Sequence, residues 1–314
     1  MKKTILLLGG YGFIGSNILE YIDTNLGNQY DVVVFDMQTN HRDGLLFSCV
    51  SASYAGDFSD SVLLEKIFKD HKIDYVIHSI STTIPITSFN ARYDIESNLI
   101  PTIELMNIML NYNVKKIVYL SSGGAVYGNI KKDHRETDVV YPISSYGVVK
   151  LSIEKYLMQY ATLYGLEPLI LRLSNPYGKY HYSMKQGLCN VAVNCAVNNN
   201  EFIVYGDGNA QKDYIYVGDF VDILFKLIIL DVSNEVINIG SRQVYSVNEI
   251  LHNISYYIPD FTWQYQDSSK YDIKYFNLNT EKLHKYIGDY KFMGLSEGIQ
   301  LIINWEMKRC NKCI

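Results

Sequence analysis

Continuously apolar segments alternate with segments of helical periodicity through the first half of the chain. The strand-like segments TILLLG, DVVVFD, DYVIHS, KKIVYLSS and EPLILRLS lack regular polar alternation, which is typical of strands buried on both faces of a parallel sheet. The apolar spacing between them predicts a long helix through NLIPTIELMNIML, and further helices at Phe13 to Thr24, Ser61 to Asp70 and about Ser145 to Leu163. This order of strands and helices predicts an α/β fold with a doubly wound parallel sheet.

The pattern changes after about Pro176, where loops lengthen and short segments such as EFIVYG and DYIYVGD appear. Helices are predicted here near Gly187–Val197, Phe220–Leu230 and Leu295–Lys308. We therefore expect two units, a first domain over residues 1–175 and a smaller C-terminal α/β lobe over residues 176–314. The lobe is not expected to fold independently, because some of its chain crosses back to the first domain.

Charge and composition disfavour several functions. The 314 residues carry 28 basic and 33 acidic side chains, a net charge of −5, so nothing favours nucleic-acid binding. No apolar run approaches the roughly 20 residues needed to cross a bilayer, so no membrane partner is expected. Five scattered cysteines are typical of a reduced, cytoplasmic chain, and the isolated CNKC pair does not predict a metal site.

The segment GGYGFIG joins the first predicted strand to the first predicted helix. Gly9 permits a tight turn, Gly12 lets a pyrophosphate approach the helix N-terminus, and Gly15 lets the helix pack on the strand. Asp36 ends the second strand 21 residues beyond Gly15, where the ribose hydroxyls of a dinucleotide are expected, and its carboxylate favours NAD over a 2′-phosphorylated cofactor. The spacing is G-x-x-G-x-x-G rather than G-x-G-x-x-G, so the prediction depends on this context. The residues expected to bind the cofactor here are Gly9, Gly12, Phe13, Ile14, Gly15 and Asp36.

Tyr146 and Lys150 lie four residues apart at the start of a predicted helix, which puts them on one face. A phenol with a pKa near 10 is a poor base at neutral pH, and a neighbouring Lys⁺ favours the phenolate. The pair is a candidate general acid–base, with two solvated helix residues as the alternative in a chain of 28 tyrosines. Ser121 and Ser122 end a parallel strand at the edge where ligands bind, and either hydroxyl is a candidate to face Tyr146.

Taken in order, GGYGFIG, VIHSIS, SSGGAVYG, Tyr146-x-x-x-Lys150, RLSNPYG and GDGNAQKDYIYVGD resemble the extended short-chain dehydrogenase/reductase family over nearly the whole chain. The resemblance is to its NAD-dependent epimerase/dehydratase branch around UDP-glucose 4-epimerase, which acts on nucleotide sugars. It implies a Rossmann-type sheet, bound NAD and a catalytic triad of Ser122, Tyr146 and Lys150. Asn175 is implied to hold the sugar nucleotide. The further cofactor contacts implied are Asp57, Phe58, His78, Tyr146 and Lys150.

The segment SSGGAVYG departs from the family pattern in two ways. Gly123 occupies the usual serine position, so the catalytic hydroxyl is expected from Ser122, with Ser121 as the alternative. Dehydratases and decarboxylases of the family carry acidic residues just before VY, and dehydration needs an acid and a base. Gly124 and Ala125 stand in those places here, so a dehydratase is disfavoured.

The nucleotide-binding residues also depart from the family. Lys212 and Lys270 stand where the family usually has arginines facing the diphosphate. Lysine still binds phosphate as a point charge but loses the bidentate fork, and solvated surface lysines are the alternative. Tyr205 is a candidate to stack on the nucleotide base, with a packed strand aromatic as the alternative. The substrate-binding residues implied are Ser122, Asn175, Tyr205, Lys212 and Lys270.

The leading prediction is an NAD-dependent 4-epimerase of UDP-hexose type. Tyr146 takes the proton of the 4-hydroxyl, hydride passes from C4 to NAD⁺, the 4-keto sugar turns over, and hydride returns to its other face. The alternative is an NAD(P)H-dependent reductase of a 4-keto-6-deoxy sugar nucleotide, such as a dTDP-linked one. A non-enzymatic NAD-binding regulator is disfavoured because Tyr146 and Lys150 are both present.

Relatives often pair through two helices, so a homodimer through the helices of IPTIELMNIML and KLSIEKYLMQYA is expected. The alternative is that the apolar faces of these two helices belong to the ordinary core.

Overall fold

The computed structural model describes residues 2–267 and 274–311. In chain order, its strands are β1 (Lys3–Leu8), β2 (Tyr30–Asp36), β3 (Val50–Ala55), β4 (Tyr75–His78), β5 (Lys116–Ser122), β6 (Asp133–His134), β7 (Glu167–Leu173), β8 (Asn175–Tyr177), β9 (Phe202–Tyr205), β10 (Gln211–Tyr216), β11 (Glu235–Ile239), β12 (Val244–Ser246), β13 (Trp263–Gln266) and β14 (Tyr275–Leu278). Its α-helices are α1 (Phe13–Tyr21), α2 (Ser61–Asp70), α3 (Ala91–Asp94), α4 (Ile100–Asn111), α5 (Gly123–Val126), α6 (Ser145–Tyr164), α7 (Leu188–Val197), α8 (Val217–Ile229), α9 (Val247–Tyr257), α10 (Glu281–Ile287) and α11 (Leu295–Asn311).

A parallel sheet of seven strands, in the order β11-β7-β5-β4-β1-β2-β3, organises the larger part of the molecule. The chain order reverses at β1, whose two neighbours are β2 and β4. A ligand crevice forms at such a switch point, outside the carboxyl ends of the strands. The predicted Rossmann-type, doubly wound sheet is confirmed, and the site is expected next to the ends of β1 and β4.

Both faces of this sheet are covered, as the continuously apolar strands predicted. Ile5 and Leu7 of β1 pack in one layer with α1 and α8, while Leu6 and Leu8 pack in the opposite layer with α2, α4 and α6. Neighbouring residues of a strand face opposite sides of the sheet. All four side chains are fully buried, so the whole strand is apolar.

The second half of the chain builds a smaller sheet in the order β12-β10-β14-β6, and β8 also pairs with β10. A two-stranded sheet of β9 and β13 and the helices α7, α9 and α11 surround their own apolar cluster. The chain crosses between the two parts in both directions. β11 joins the large sheet beside β7, and β6 joins the small sheet beside β14. The boundary at residue 175 stays a prediction.

Most predicted helices are present, with small differences at their ends. The first is shorter than predicted: α1 ends at Tyr21, and the chain continues as a π-helical turn over Ile22–Leu26. Within the described ranges, no helix is long and apolar enough to cross a membrane. No group of three or more metal-ligating side chains comes together among the same residues.

Candidate active site

Two glycines at the turn between β1 and α1, Gly9 and Gly15, are positions at which a larger residue would be strained or would clash. Gly9 has φ +80°, and its amide donates to the carbonyl of Phe35 over 2.8 Å. A Cβ on Gly15 would lie 2.1 Å from the Gly9 carbonyl oxygen. No side chain caps α1 at Gly12, so the N–H groups of its first turn are available to an anion. This cradle fits the pyrophosphate of a dinucleotide.

The other residues predicted around this turn lie beside it. Asp36 ends β2, and its carboxylate accepts from the backbone N–H of Tyr11 at 3.0 Å and of Gln38 at 3.3 Å. Phe13 and Ile14 are half-buried, and both pack against the core layer of α1 and α8. A carboxylate at this position, close to the helix N-terminus, fits the ribose hydroxyls of NAD.

His78, at the end of β4, is a neutral, buried ring. Its Nε2 lies 3.0 Å from the hydroxyl of Thr102, which itself donates to the carbonyl of Asn98. The Thr102 oxygen therefore accepts, so Nε2 carries the proton of His78. Burial, helped by the charge of Lys150, lowers the pKa of His78 to about 3. The buried Phe58 ring packs edge-on against His78 at 4.9 Å, so it supports this histidine from the core.

Asp57 lies apart from this buried group. Its side chain is exposed, and it accepts from the backbone N–H of Ser59 at 2.9 Å and from the Ser59 hydroxyl at 2.6 Å. These two bonds hold the pKa of the Asp57 carboxyl below its usual range. The carboxylate is therefore ionised and fixed in a turn before α2.

Tyr146 and Lys150 lie on the first turns of α6 and face the end of β5. The Lys150 ammonium donates to the carbonyl of Leu120 at 2.9 Å, and it lies 4.9 Å from the Tyr119 ring centre and 5.7 Å from that of Tyr146. Burial lowers the pKa of Lys150 to about 8, and Glu154 opposes this shift. Burial raises the pKa of the Tyr146 phenol above its ordinary value, and the hydroxyls of Ser81 and Ser122 offset only part of this shift.

The two neighbouring serines of β5 point to different partners. Ser121 donates to the buried carboxylate of Glu154 at 2.5 Å, whereas Ser122 interacts with the phenol of Tyr146. Gly123 occupies the position where the family usually has serine. A Cβ there would lie 3.0 Å from the Leu278 side chain, so the structure has little room for a serine at this position. The arrangement therefore brings Ser122 to the phenol and commits Ser121 to the interior.

Ser81 is a site residue that sequence reasoning missed. It lies three residues beyond β4, and its hydroxyl interacts with the Tyr146 phenol. It also lines a small cavity with Tyr146, Lys150 and His78. The available signal was its position, since β4 and β5 are adjacent and end at the same edge of the sheet.

Three of the residues predicted to bind substrate lie in the second half of the chain, namely Asn175 on β8, Tyr205 on β9 and Lys212 on β10. Asn175 donates from its side-chain amide to the carbonyl of Asp213 at 2.8 Å, which joins β8 to β10 next to Lys212. Tyr205 ends β9 with 64% of its surface exposed, so the alternative of a packed strand aromatic is wrong. Lys270 lies outside the described residues.

Asp213 is a fully buried carboxyl group beneath this surface. One oxygen accepts from the backbone N–H and the hydroxyl of Ser241 at 3.1 and 3.2 Å. The other oxygen has no hydrogen-bond partner among the described residues. Burial raises the pKa of Asp213 to about 7.

The stability of the protein is expected to fall with rising pH because of Asp213. Its folded-state pKa of about 7 exceeds the ordinary value of 3.8, so the stabilisation from the bound proton is complete below pH 4 and lost as the pH rises through 7. Between pH 5 and 8, wild type should lose about 2–3 kcal/mol of unfolding free energy relative to Asp213→Asn. Urea unfolding of both proteins at the two pH values measures this difference. An unchanged difference would exclude Asp213 as the titrating group.

A model of the NAD dependent epimerase/dehydratase family matches residues 5–240. The chain belongs to this family. Among curated relatives of this epimerase/dehydratase, a putative UDP-glucose 4-epimerase of Methanocaldococcus jannaschii is 34% identical, over 98% of this chain and 99% of the relative.

Solved structures of the family agree with the fold. A UDP-glucose 4-epimerase of Thermotoga maritima with UDP-glucose aligns with a TM-score of 0.88 at 30% identity, over 98% of this chain and 99% of that one. A UDP-glucose 4-epimerase of Thermus thermophilus in complex with NAD aligns with a TM-score of 0.87 at 26% identity, over 96% and 98%. The family match confirms the resemblance and the NAD dependence expected from the sequence.

Proposed function

We propose that this epimerase/dehydratase is an NAD-dependent 4-epimerase of UDP-hexoses, with Tyr146 as its acid–base residue. The observation that carries the proposal is the half-buried Tyr146, whose ring centre lies 5.7 Å from the Lys150 ammonium and whose phenol interacts with the Ser122 hydroxyl. The similarity to UDP-glucose 4-epimerases over nearly the full chain supports the choice of substrate. The turn from Gly9 to Gly15 and Asp36 would hold the cofactor.

The protein side of the reaction is a reversible proton transfer. Tyr146 in its phenolate form accepts the proton of the sugar 4-hydroxyl, and it returns that proton after the 4-keto sugar has turned over. The Lys150 ammonium stabilises the phenolate, and Ser122 donates a hydrogen bond to the reacting sugar oxygen. Bound NAD supplies the hydride acceptor and donor. Because the cycle is redox-neutral, the protein has no need to exchange its cofactor.

In this proposal Lys212 binds the substrate diphosphate, and the exposed ring of Tyr205 stacks on the nucleotide base. Lysine offers a point charge rather than a bidentate fork, so the diphosphate is held by charge more than by geometry. Asn175, fixed to β10 by its bond to Asp213, is assigned to the sugar nucleotide. Its amide group donates to the protein, which leaves its side-chain oxygen to accept from a substrate hydroxyl.

The proposal is tested by cofactor retention together with turnover. Freshly purified protein is denatured, and the NAD in the supernatant is quantified against protein. Near-stoichiometric NAD, with interconversion of UDP-glucose and UDP-galactose without added cofactor, is the expected result. Protein that is empty and instead consumes NADH or NADPH with a 4-keto-6-deoxy sugar nucleotide would establish the reductase alternative.

We also propose a homodimer through α4 and α6, which pack side by side. Ile100 of α4 and Val148, Tyr156 and Leu163 of α6 are exposed and form an apolar stripe along this pair. Light scattering should give about twice the chain mass of 36.1 kDa. Leu163→Glu should reduce this mass to that of the monomer, while Leu230→Glu, an equally exposed leucine after α8, should leave the dimer intact. A monomeric wild type would refute this interface.

A further inference from the structure

The loop between β4 and α3 reaches the first turn of α6, the helix that carries Tyr146. The Ser88 hydroxyl accepts from the backbone N–H of Tyr146 at 2.7 Å and donates to the Asp94 carboxylate at 2.5 Å. Both bonds use one oxygen atom, and the acceptor carboxylate determines where its proton points. The remaining lone pairs of Ser88 are thereby directed towards the Tyr146 amide.

Asp94 is a buried carboxylate that accepts a hydrogen bond from the Ser88 hydroxyl. It is 1% exposed, and its second oxygen has no hydrogen-bond partner among the described residues. A buried carboxylate is costly unless something compensates its charge. It accepts the Ser88 hydroxyl, which in turn is bound to the N-terminal turn of α6, where the helix dipole favours negative charge.

The same loop is held at its other end as well. The backbone N–H of Thr82 donates to the side-chain oxygen of Asn98 at 2.9 Å, and the Asn98 amide donates to the Thr82 hydroxyl at 2.6 Å. Ser81, next to Thr82, interacts with the phenol of Tyr146. One loop therefore contacts the backbone of Tyr146 through Ser88 and its reacting oxygen through Ser81.

The Ser88 contact is additional to ordinary capping of α6. Ser144 is the N-cap residue, and its hydroxyl accepts from the backbone N–H of Gly147 at 3.2 Å. Ser144 thus caps the same helix end without touching Tyr146. Ser144 and Ser88 therefore form a matched pair for mutagenesis. Ser144 caps the helix, whereas Ser88 binds the backbone of Tyr146 itself.

We propose that Ser88 and Asp94 are positioning residues for Tyr146, which hold its backbone so that its phenol keeps its contacts with Ser81 and Ser122. This inference rests on the proposed role of Tyr146 as the acid–base residue. A displacement of about 1 Å at a reacting group can cost as much as ~100-fold in rate. Ser88 acts through Tyr146 and does not itself touch the substrate.

The test compares Ser88→Ala with Ser144→Ala. Ser88→Ala is expected to lower kcat about 10-fold, and to shift the pH profile of kcat, with KM for the UDP-hexose and bound NAD unchanged. Ser144→Ala is expected to lower Tm at least as much while keeping kcat within about twofold. Ser88→Thr, which retains the hydroxyl, should recover most of the activity. Equal kcat for Ser88→Ala and Ser144→Ala would overturn the proposal.

Two further variants connect the pair to the phenol. As a single variant, Asp94→Ala should lower kcat. In the Ser88→Ala background it should cause little further loss of kcat, because the two residues act as one unit. Ser88→Ala should likewise add no loss of kcat in the Tyr146→Phe background, where no phenol remains to be positioned. Full additivity in either double variant would overturn the proposal.

Failure of this inference is distinguishable from failure of the proposed function. If Tyr146→Phe keeps full activity, Tyr146 is not the acid–base residue, and the proposed function fails irrespective of Ser88. Hydrogen exchange then still reports on positioning, since the Tyr146 amide should exchange faster in Ser88→Ala than in wild type and Ser144→Ala. An unchanged exchange rate at Tyr146 would overturn the role of Ser88 directly.

Discussion

Tyr146→Phe should lower the turnover of UDP-hexose at least ~100-fold, the loss typical for a general acid–base group. The substitution removes only the phenolic oxygen, and the ring keeps its position next to the Lys150 ammonium. The fold and bound NAD should therefore be retained. Steady-state kinetics, together with the amount of NAD released on denaturation, measures both parts of this result.

The matched control for this substitution is Tyr164→Phe. Tyr164 lies at the far end of the same helix and is exposed, so loss of its hydroxyl should leave kcat within about twofold of wild type. If Tyr146→Phe turned over as fast as Tyr164→Phe, the assignment of the acid–base residue would be wrong. If Tyr146→Phe lost its NAD, the tyrosine would be needed for cofactor binding.

Arg172→Met is expected to destabilise the protein by about 3–5 kcal/mol, since it leaves a buried carboxylate unpaired. The Arg172 guanidinium binds the Glu154 carboxylate at 2.7 Å and the Tyr127 hydroxyl at 2.9 Å, and the side chains of the ion pair are 5% and 2% exposed. Glu154 also accepts from Ser121, so the pair supports the end of β5. Urea unfolding of wild type and variant measures the loss of free energy.

Two controls separate the buried pair from salt bridges in general. Arg135 binds Glu281 at 2.7 Å, but both side chains are more than half exposed, so Arg135→Met should leave the free energy of unfolding almost unchanged. The double variant Glu154→Leu with Arg172→Met should be more stable than Arg172→Met alone, because the carboxylate that lost its guanidinium partner is removed as well. A double variant no more stable than the single one would show that packing, rather than charge, makes Arg172 necessary.

Local spacing was sufficient for the sheet, the glycine turn after β1 and the placing of Tyr146 and Lys150 on one helix face. The apolar strands fix which segments are buried on both faces, and the four-residue spacing on a helix places Lys150 beside Tyr146. Helix ends were less predictable. α1 ends at Tyr21, but the chain continues as a π-helical turn, and the apolar spacing does not distinguish this turn from an α-helix.

Contacts between distant segments were not predictable in this way. Alternation along β5 implies that Ser121 and Ser122 face opposite sides of the sheet. Both nevertheless contact α6, Ser121 through Glu154 and Ser122 through Tyr146, so alternation alone does not select the serine that meets the phenol. Ser88 binds Tyr146 across 58 residues of chain, through a loop whose path depends on its anchors at Asn98 and Asp94. No periodic pattern marks such a loop, so Ser81 and Ser88 were missed.

The pairing of β11 with β7 has a consequence for biosynthesis. β7 ends at Leu173, but its partner strand is synthesised only after residue 235. A nascent chain that has completed β7 can pair it with β5, but its other, apolar edge stays open until some 60 further residues have left the ribosome. Such an edge favours pairing with other chains, so we expect this protein to be more prone to association during translation than one whose sheet is closed by consecutive strands.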